Sequence, residues 1–241
     1  MNLSSNQQYT QIDFKTQSLA RTFLANVFSW MFIALATTAL VAYVASGNET
    51  FLRMMFNPET GGMSMIGWVI MLSPLGLVLL MSAGFQRISA SNLTLVFIAY
   101  SILMGLSLSF IFLAYTGASI AKTFVIASSM FGLMAVVGYT TKTDLSRFGS
   151  LMFMGLIGLI IASLINFFMR SGTLDYIISF IGVLVFTGLT AYDVQKLKRI
   201  GASAMDEGEG MRKITIMGAL TLYLDFINLF LFLLRFFGNR K

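Results

Sequence analysis

The chain has 241 residues, 57% of them hydrophobic and only 11% charged, with a formal net charge of +6 and neither histidine nor cysteine. That is more apolar surface than one soluble core of this length can hide, so the chain reads as an all-α membrane protein with the lipid bilayer as its solvent. The missing residue types exclude disulfides, zinc sites and His-ligated metals, and no cofactor and no enzyme activity are expected.

Residues 1–21 form a polar tail (Asn6, Gln7, Gln8, Asp13, Lys15) with no cleavable signal peptide. A single domain, 22–241, follows. A span needs about 20 apolar residues, and seven such segments occur: 22–46, 64–84, 93–115, 119–140, 149–169, 174–193 and 214–237. Backbone polar groups cannot go unpaired in hydrocarbon, so each reads as a helix. Uniform apolarity argues against barrel strands, which alternate. The connections are short. The longest, 47–63, carries Pro58, and 195–213 is highly charged.

Several segments carry small or polar stripes: Ser101, Gly105 and Ser109 in the third; Ser128, Gly132, Ala135 and Tyr139 in the fourth; Gly155, Ala162, Ser163 and Asn166 in the fifth. Close helix packing is the first reading, a polar pathway lining the second. Pro74 is expected to kink the second segment.

The positive charge is not a nucleic-acid signal, because the bases sit in tails and loops beside apolar runs. With the N-terminus inside, ten bases (Lys15, Arg21, Arg87, Lys142, Arg147, Lys196, Lys198, Arg199, Arg212, Lys213) fall inside, against Arg53, Lys122 and Arg170 outside. This favours a cytoplasmic N-terminus. Seven full spans put Arg235, Arg240 and Lys241 outside, so either the bias is overridden there or the seventh segment does not fully cross.

Asp225 is the strongest single signal. It lies about 16 Å along the helix from either end of the run 214–236. An ionised Asp at a helix centre costs roughly 2.5–3.5 kcal/mol on insertion scales. Gly218, Thr221, Asp225, Asn228 and Phe232 share its helical face. The alternative is a structural aspartate holding helices together. Asp193 ends the sixth segment, before Gln195, Lys196, Lys198 and Arg199, and by itself reads as an interfacial acid paired with those bases. Two carboxyls in one poorly solvated site cannot both ionise cheaply, so together they would share a proton and titrate as a unit. Straight helices with these ends set the two acids about 13 Å apart in depth. They meet if the seventh helix is tilted or displaced toward the N-terminal side, and the misplaced basic tail points the same way.

The runs Gly188-Leu-Thr-Ala-Tyr-Asp-Val-Gln-Lys196, Gly218-Ala-Leu-Thr-Leu-Tyr-Leu-Asp-Phe-Ile-Asn-Leu-Phe230 and Leu233-Leu-Arg-Phe-Phe-Gly238 carry a resemblance. Gly138-Tyr-Thr-Thr-Lys-Thr-Asp-Leu-Ser146 and the Asn166 region add to it. The chain resembles the bacterial branch of the Bax inhibitor-1 family, the transmembrane BAX-inhibitor-motif proteins, over nearly its whole length. The resemblance implies seven helices with the seventh surrounded by the other six. It implies a pH-sensitive calcium leak in a bacterial plasma (inner) membrane, latched shut by a proton-sharing aspartate pair. Asp193 and Asp225 match the pair and are also where Ca2+ would pass, with Arg87, Asn166, Thr190, Thr221 and Asn228 in support. Some members pair an acid in helix 2 with an arginine. The second segment here has no acid, and only Arg87 matches the basic partner.

Three functions are weighed. The first is a pH-gated calcium or cation leak, with Asp206, Glu207 and Glu209 concentrating cations at its mouth. The second is a non-transporting regulator that binds another membrane protein, such as a membrane protease, as the resemblance implies for members lacking the aspartates. The third, an intramembrane aspartyl protease, has Tyr192-Asp193 in its favour. Tyr223-Leu-Asp225 does not supply the required Gly-x-Gly-Asp, and span 7 has no proline.

Overall fold

The computed structural model describes residues 3–57, 62–203 and 208–241, with side chains from Gln17 onward. Pro58, Asp206 and Glu207 lie outside the described residues.

The helices, in chain order, are α1 (Leu3–Ser46), α2 (Glu49–Met55), α3 (Met65–Gly84), α4 (Ala90–Leu108), α5 (Ile111–Ala114), α6 (Gly117–Thr140), α7 (Ser146–Met169), α8 (Gly172–Ala202) and α9 (Glu209–Phe237). Among the described residues seven spans are long and apolar enough to cross a bilayer, with α4 and α5 forming one of them.

Several boundaries differ from the sequence expectation. The polar tail is no separate element, since α1 runs unbroken from Leu3. The 47–63 connection contains a helix, α2, because Asn48 accepts from the Phe51 N–H and caps its start. The third segment breaks after Leu108, where the Ser109 hydroxyl and N–H both turn back onto the Leu106 carbonyl. The largest difference is at the charged connection. α8 continues nine residues beyond Asp193, and α9 begins five residues before Ile214.

Pro74 sits inside α3 without ending it. Proline supplies no N–H to the carbonyl four residues back, here that of Ile70. Two hydroxyls take its place, Ser73 Oγ at 2.9 Å and Ser107 Oγ from α4 at 2.8 Å.

The centre of the bundle is α9. Two thirds of its apolar window (67%) is buried, against 6% for α7. It packs against α8, α1, α6 and α4, while α3 leans chiefly on α4 and α7 on α8. The small residues serve close approach. A Cβ on Gly105 would lie 2.7 Å from the Thr38 carbonyl of α1, and one on Gly138 would overlap the Ala191 backbone of α8. Gly132, by contrast, faces outward with nothing near it.

The termini lie on opposite faces. Ala20 and Phe23 of α1 pack at Gly201, near the end of α8. At the other face Arg235 and Arg240 reach Asp175 at the start of α8 (3.3 and 3.9 Å), and Thr116 N–H donates to the Asn239 carbonyl. So α9 runs from one face of the bundle to the other and is not displaced. The tail bases sit on the C-terminal face because they are anchored there. Lys241 Nζ donates to the Phe112 carbonyl, and the Arg240 guanidinium stands 6.0 Å from the Tyr115 ring.

Two outcomes are expected. Gly138→Ala forces α6 off α8 and costs about 1–3 kcal/mol, read as a lower temperature for loss of monodispersity in detergent, whereas Gly132→Ala is neutral. Because the chain has no cysteine, Lys142→Cys and Lys241→Cys report each face alone. An impermeant thiol reagent on sealed cells should label one and spare the other, and equal labelling of both would contradict the full crossing of α9.

Candidate functional site: a buried carboxyl pair between α8 and α9

The stripe Gly218, Thr221, Asp225, Asn228 and Phe232 faces α8. Gly218 gives room for Leu197 (2.7 Å to an added Cβ), and Phe232 stacks on Phe186 at 5.8 Å. Asp193 lies between Leu197 and Phe186 on α8, and Asp225 lies between Gly218 and Phe232 on the antiparallel α9. This register brings the two acids together, and their carboxyl groups face one another within hydrogen-bonding reach.

The expected depth mismatch therefore disappears without any displacement of α9. It came from ending the helix at Asp193. The nine further residues of α8 add about 13 Å of helix, which moves Asp193 away from the helix end and into the bundle, where it shares a cavity wall with Asp225.

Both acids are buried, Asp193 at 9% and Asp225 at 4% exposure. No N–H or O–H among the described residues reaches Asp225 Oδ2. A buried acceptor without a donor is costly, and a proton held between the two carboxyls would supply that donor.

Beside the pair lies a cavity of about 790 Å³ between α7, α8 and α9. Its polar lining includes Asp193, Asp225, Thr221, Asn228, Ser150 and Lys196. Thr221 donates to its own helix at Met217, and Asn228 Nδ2 to Leu224. The arrangement can hold one proton between two carboxyls or, once that proton is lost, a hard cation on their oxygens.

The other expected site residues are elsewhere. Thr190 is fully buried and bonded back to the Phe186 carbonyl. Asn166 accepts from the Ser171 N–H, where α7 ends on the left-handed Arg170; it shapes the α7–α8 turn. Arg87 is exposed in the α3–α4 turn and makes no ion pair among the described residues. Glu209 is engaged, accepting from the Ala90 N–H at 3.1 Å with Lys213 at 3.9 Å.

Two features escaped the sequence reading. On the far side of α9, Tyr223 shares a 2.7 Å hydrogen bond with Thr38, whose hydroxyl donates to the Ser101 carbonyl. Tyr100 stands edge-on at 5.4 Å, its buried hydroxyl without a partner among the described residues. The Tyr223-Leu-Asp225 spacing, two residues and about 200° of helix, was the available signal. The second feature is a clasp between the last turns of α8 and residues 139–145. Gln195 accepts from the Leu145 N–H and donates to the Thr143 carbonyl. Arg199 donates to Asp144 at 2.7 Å, and Lys198 to the Tyr139 carbonyl at 2.6 Å.

The profile describing the inhibitor of apoptosis-promoting Bax1 matches residues 20–241. This chain belongs to the Bax inhibitor-1 family. The inner membrane protein YbhL of Escherichia coli (strain K12) is 50% identical over 222 residues, 92% of this chain and 93% of that protein. The protein RP147 of Rickettsia prowazekii (strain Madrid E) is 46% identical over 221 residues, 92% of this chain and 91% of its own. A membrane protein of Streptococcus pyogenes serotype M1 is 36% identical over 234 residues, 96% of both chains. This Bax inhibitor-1 family member thus aligns with these relatives over more than nine tenths of its length, and both aspartates lie inside the region the family profile matches.

The clasp generates a prediction. The Arg199 hydrogen bond, with those from Ser146, holds the Asp144 carboxyl well below the usual carboxylate range. A depressed folded-state value means that the stabilisation is present above the ordinary Asp range and is lost as the pH falls through the folded value. Asp144→Asn should therefore lower the thermal midpoint slightly at neutral pH and converge with wild type in strong acid. A constant offset across the whole range would contradict the ionic contact.

Proposed function

We propose that this Bax inhibitor-1 family member is a pH-sensitive cation leak channel of a bacterial inner membrane, with Ca2+ as the permeant ion. The reading rests on one observation: two carboxyls face each other in the bundle interior beside a cavity whose mainly apolar wall carries Thr221, Asn228 and Ser150. The inner-membrane assignment draws on the name of the Escherichia coli relative.

The N-terminus is placed in the cytoplasm, where the ten bases named above then lie. The end of α8 and the α6–α7 turn it holds then lie toward the cytoplasm. With one proton shared, the pair ties α8 to α9. Loss of that proton sets two like charges against each other in a poorly solvated site, which favours separation of the helices or entry of a cation between them. Thr221 and Asn228, on the same face of α9, extend the line of oxygen atoms along the cavity.

Purified protein in liposomes, with a trapped calcium indicator and an outside pH varied from about 6 to 8, tests this. Wild type should leak calcium with a pH-dependent rate. Asp193→Asn and Asp225→Asn should each abolish or shift that dependence. Absence of flux above empty liposomes, from protein that remains folded, would sink the channel and favour a regulator that binds another membrane protein.

A further inference from the structure

The cavity beside the carboxyl pair holds a third charged side chain. Lys196 follows Asp193 by three residues on α8, so the two leave the helix on one face. Both line the cavity with Asp225. The Lys196 ammonium stands 6.0 Å from the Tyr192 ring centroid and makes no ion pair within 4 Å among the described residues. Its charge acts through space on Asp193.

Its neighbours on α8 and α9 are committed elsewhere. Lys198 donates to the Tyr139 carbonyl and covers that ring at 4.7 Å. Arg199 holds Asp144, and Lys213 faces Glu209. Lys196 is therefore the one base in the lining of this cavity.

We propose that Lys196 is the tethered counter-ion of the carboxyl pair and sets how tightly a divalent cation is held there. This deepens, and rests on, the reading of the pair as a cation site. An ammonium on a four-carbon stem can move between the Tyr192 ring and the Asp193 carboxylate, where it competes with an entering cation for the same oxygens. Two carboxylates alone in a buried site would bind a divalent cation tightly. A path that conducts needs an ion to leave as well as enter, and a resident positive charge loosens the site. A lysine that merely lays its stem on apolar surface and its head in water would affect stability without affecting cation affinity.

The test uses the full chain in detergent, with radioactive calcium in equilibrium dialysis at about pH 8 and low salt. Lys196→Gln should bind calcium about fivefold more tightly than wild type, the scale of one unit charge acting on a divalent ion about 8 Å away in a water-like dielectric. The difference should shrink as salt is raised, and Lys196→Arg should restore wild-type affinity. Asp193→Asn with Asp225→Asn should lose the site. If Lys196→Gln matches wild type while the double Asn variant loses binding, the lysine's role is overturned and the carboxyl site stands. If the double Asn variant binds as wild type does, the carboxyl site falls and this inference falls with it.

Discussion

A carboxyl group in the middle of a hydrocarbon layer is the constraint around which this molecule is arranged. Lipid offers Asp225 neither water nor a hydrogen bond, so the helix that carries it must be enclosed by protein. α9 is accordingly the most buried span, packed by α8, α1, α6 and α4. Its closest neighbour, α8, is the next most buried, at 61% of its window, and presents the second carboxyl at the matching register. Spans with no such obligation, α7 above all, sit at the rim with their apolar side chains facing lipid.

Much of this was legible in the sequence. Runs of 20 or more apolar residues gave the spans, because no other backbone satisfies its own polar groups in a bilayer. The Gly218–Phe232 stripe gave the buried face of α9, because a helix in lipid keeps small and polar residues for its protein neighbours. What hydropathy could not give was where α8 ends. Gln195, Lys196, Lys198 and Arg199 look like a loop on any apolar scale, yet α8 runs on through them, since the charged heads reach the α6–α7 turn and the cavity while the backbone stays helical. That single misplacement produced the depth mismatch between the acids and made a displaced α9 seem necessary. Thr38, Tyr100 and Tyr223 were invisible for a different reason. Their hydroxyls come together from three separate helices, and no spacing along one segment encodes that.

The basic tail shows how a global charge rule yields to local pairing. Arg235 and Arg240 go to the face that the positive-inside bias disfavours. There they meet Asp175, the acid in the first turn of α8. The bias still holds for the whole chain, with ten bases on the N-terminal side and six on the other. The tail adds anchoring, since Lys241 and Asn239 hold the end of α9 to α5 and the start of α6 through backbone hydrogen bonds. Fixing α9 at this end and through Tyr223 and Thr38 at the α1–α4 side leaves α8 as the neighbour across which the carboxyl pair acts.

The charge that balances that pair need not come from a second helix. The second span, α3, carries no acid, and Arg87 is exposed at the α3–α4 turn. The last turns of α8 supply the positive charge instead, divided between two tasks. Lys198 grips the end of α6 and Arg199 the α6–α7 turn, while Lys196 lines the cavity. Any motion that parts α8 from α9 must move these groups too, because they lie within two turns of Asp193 on a rigid helix. Under the proposed function, the grip on the α6–α7 turn and the carboxyl contact therefore resist opening together. A change in the ionisation of the pair would be felt at the α6–α7 turn through the helix itself, with no further relay.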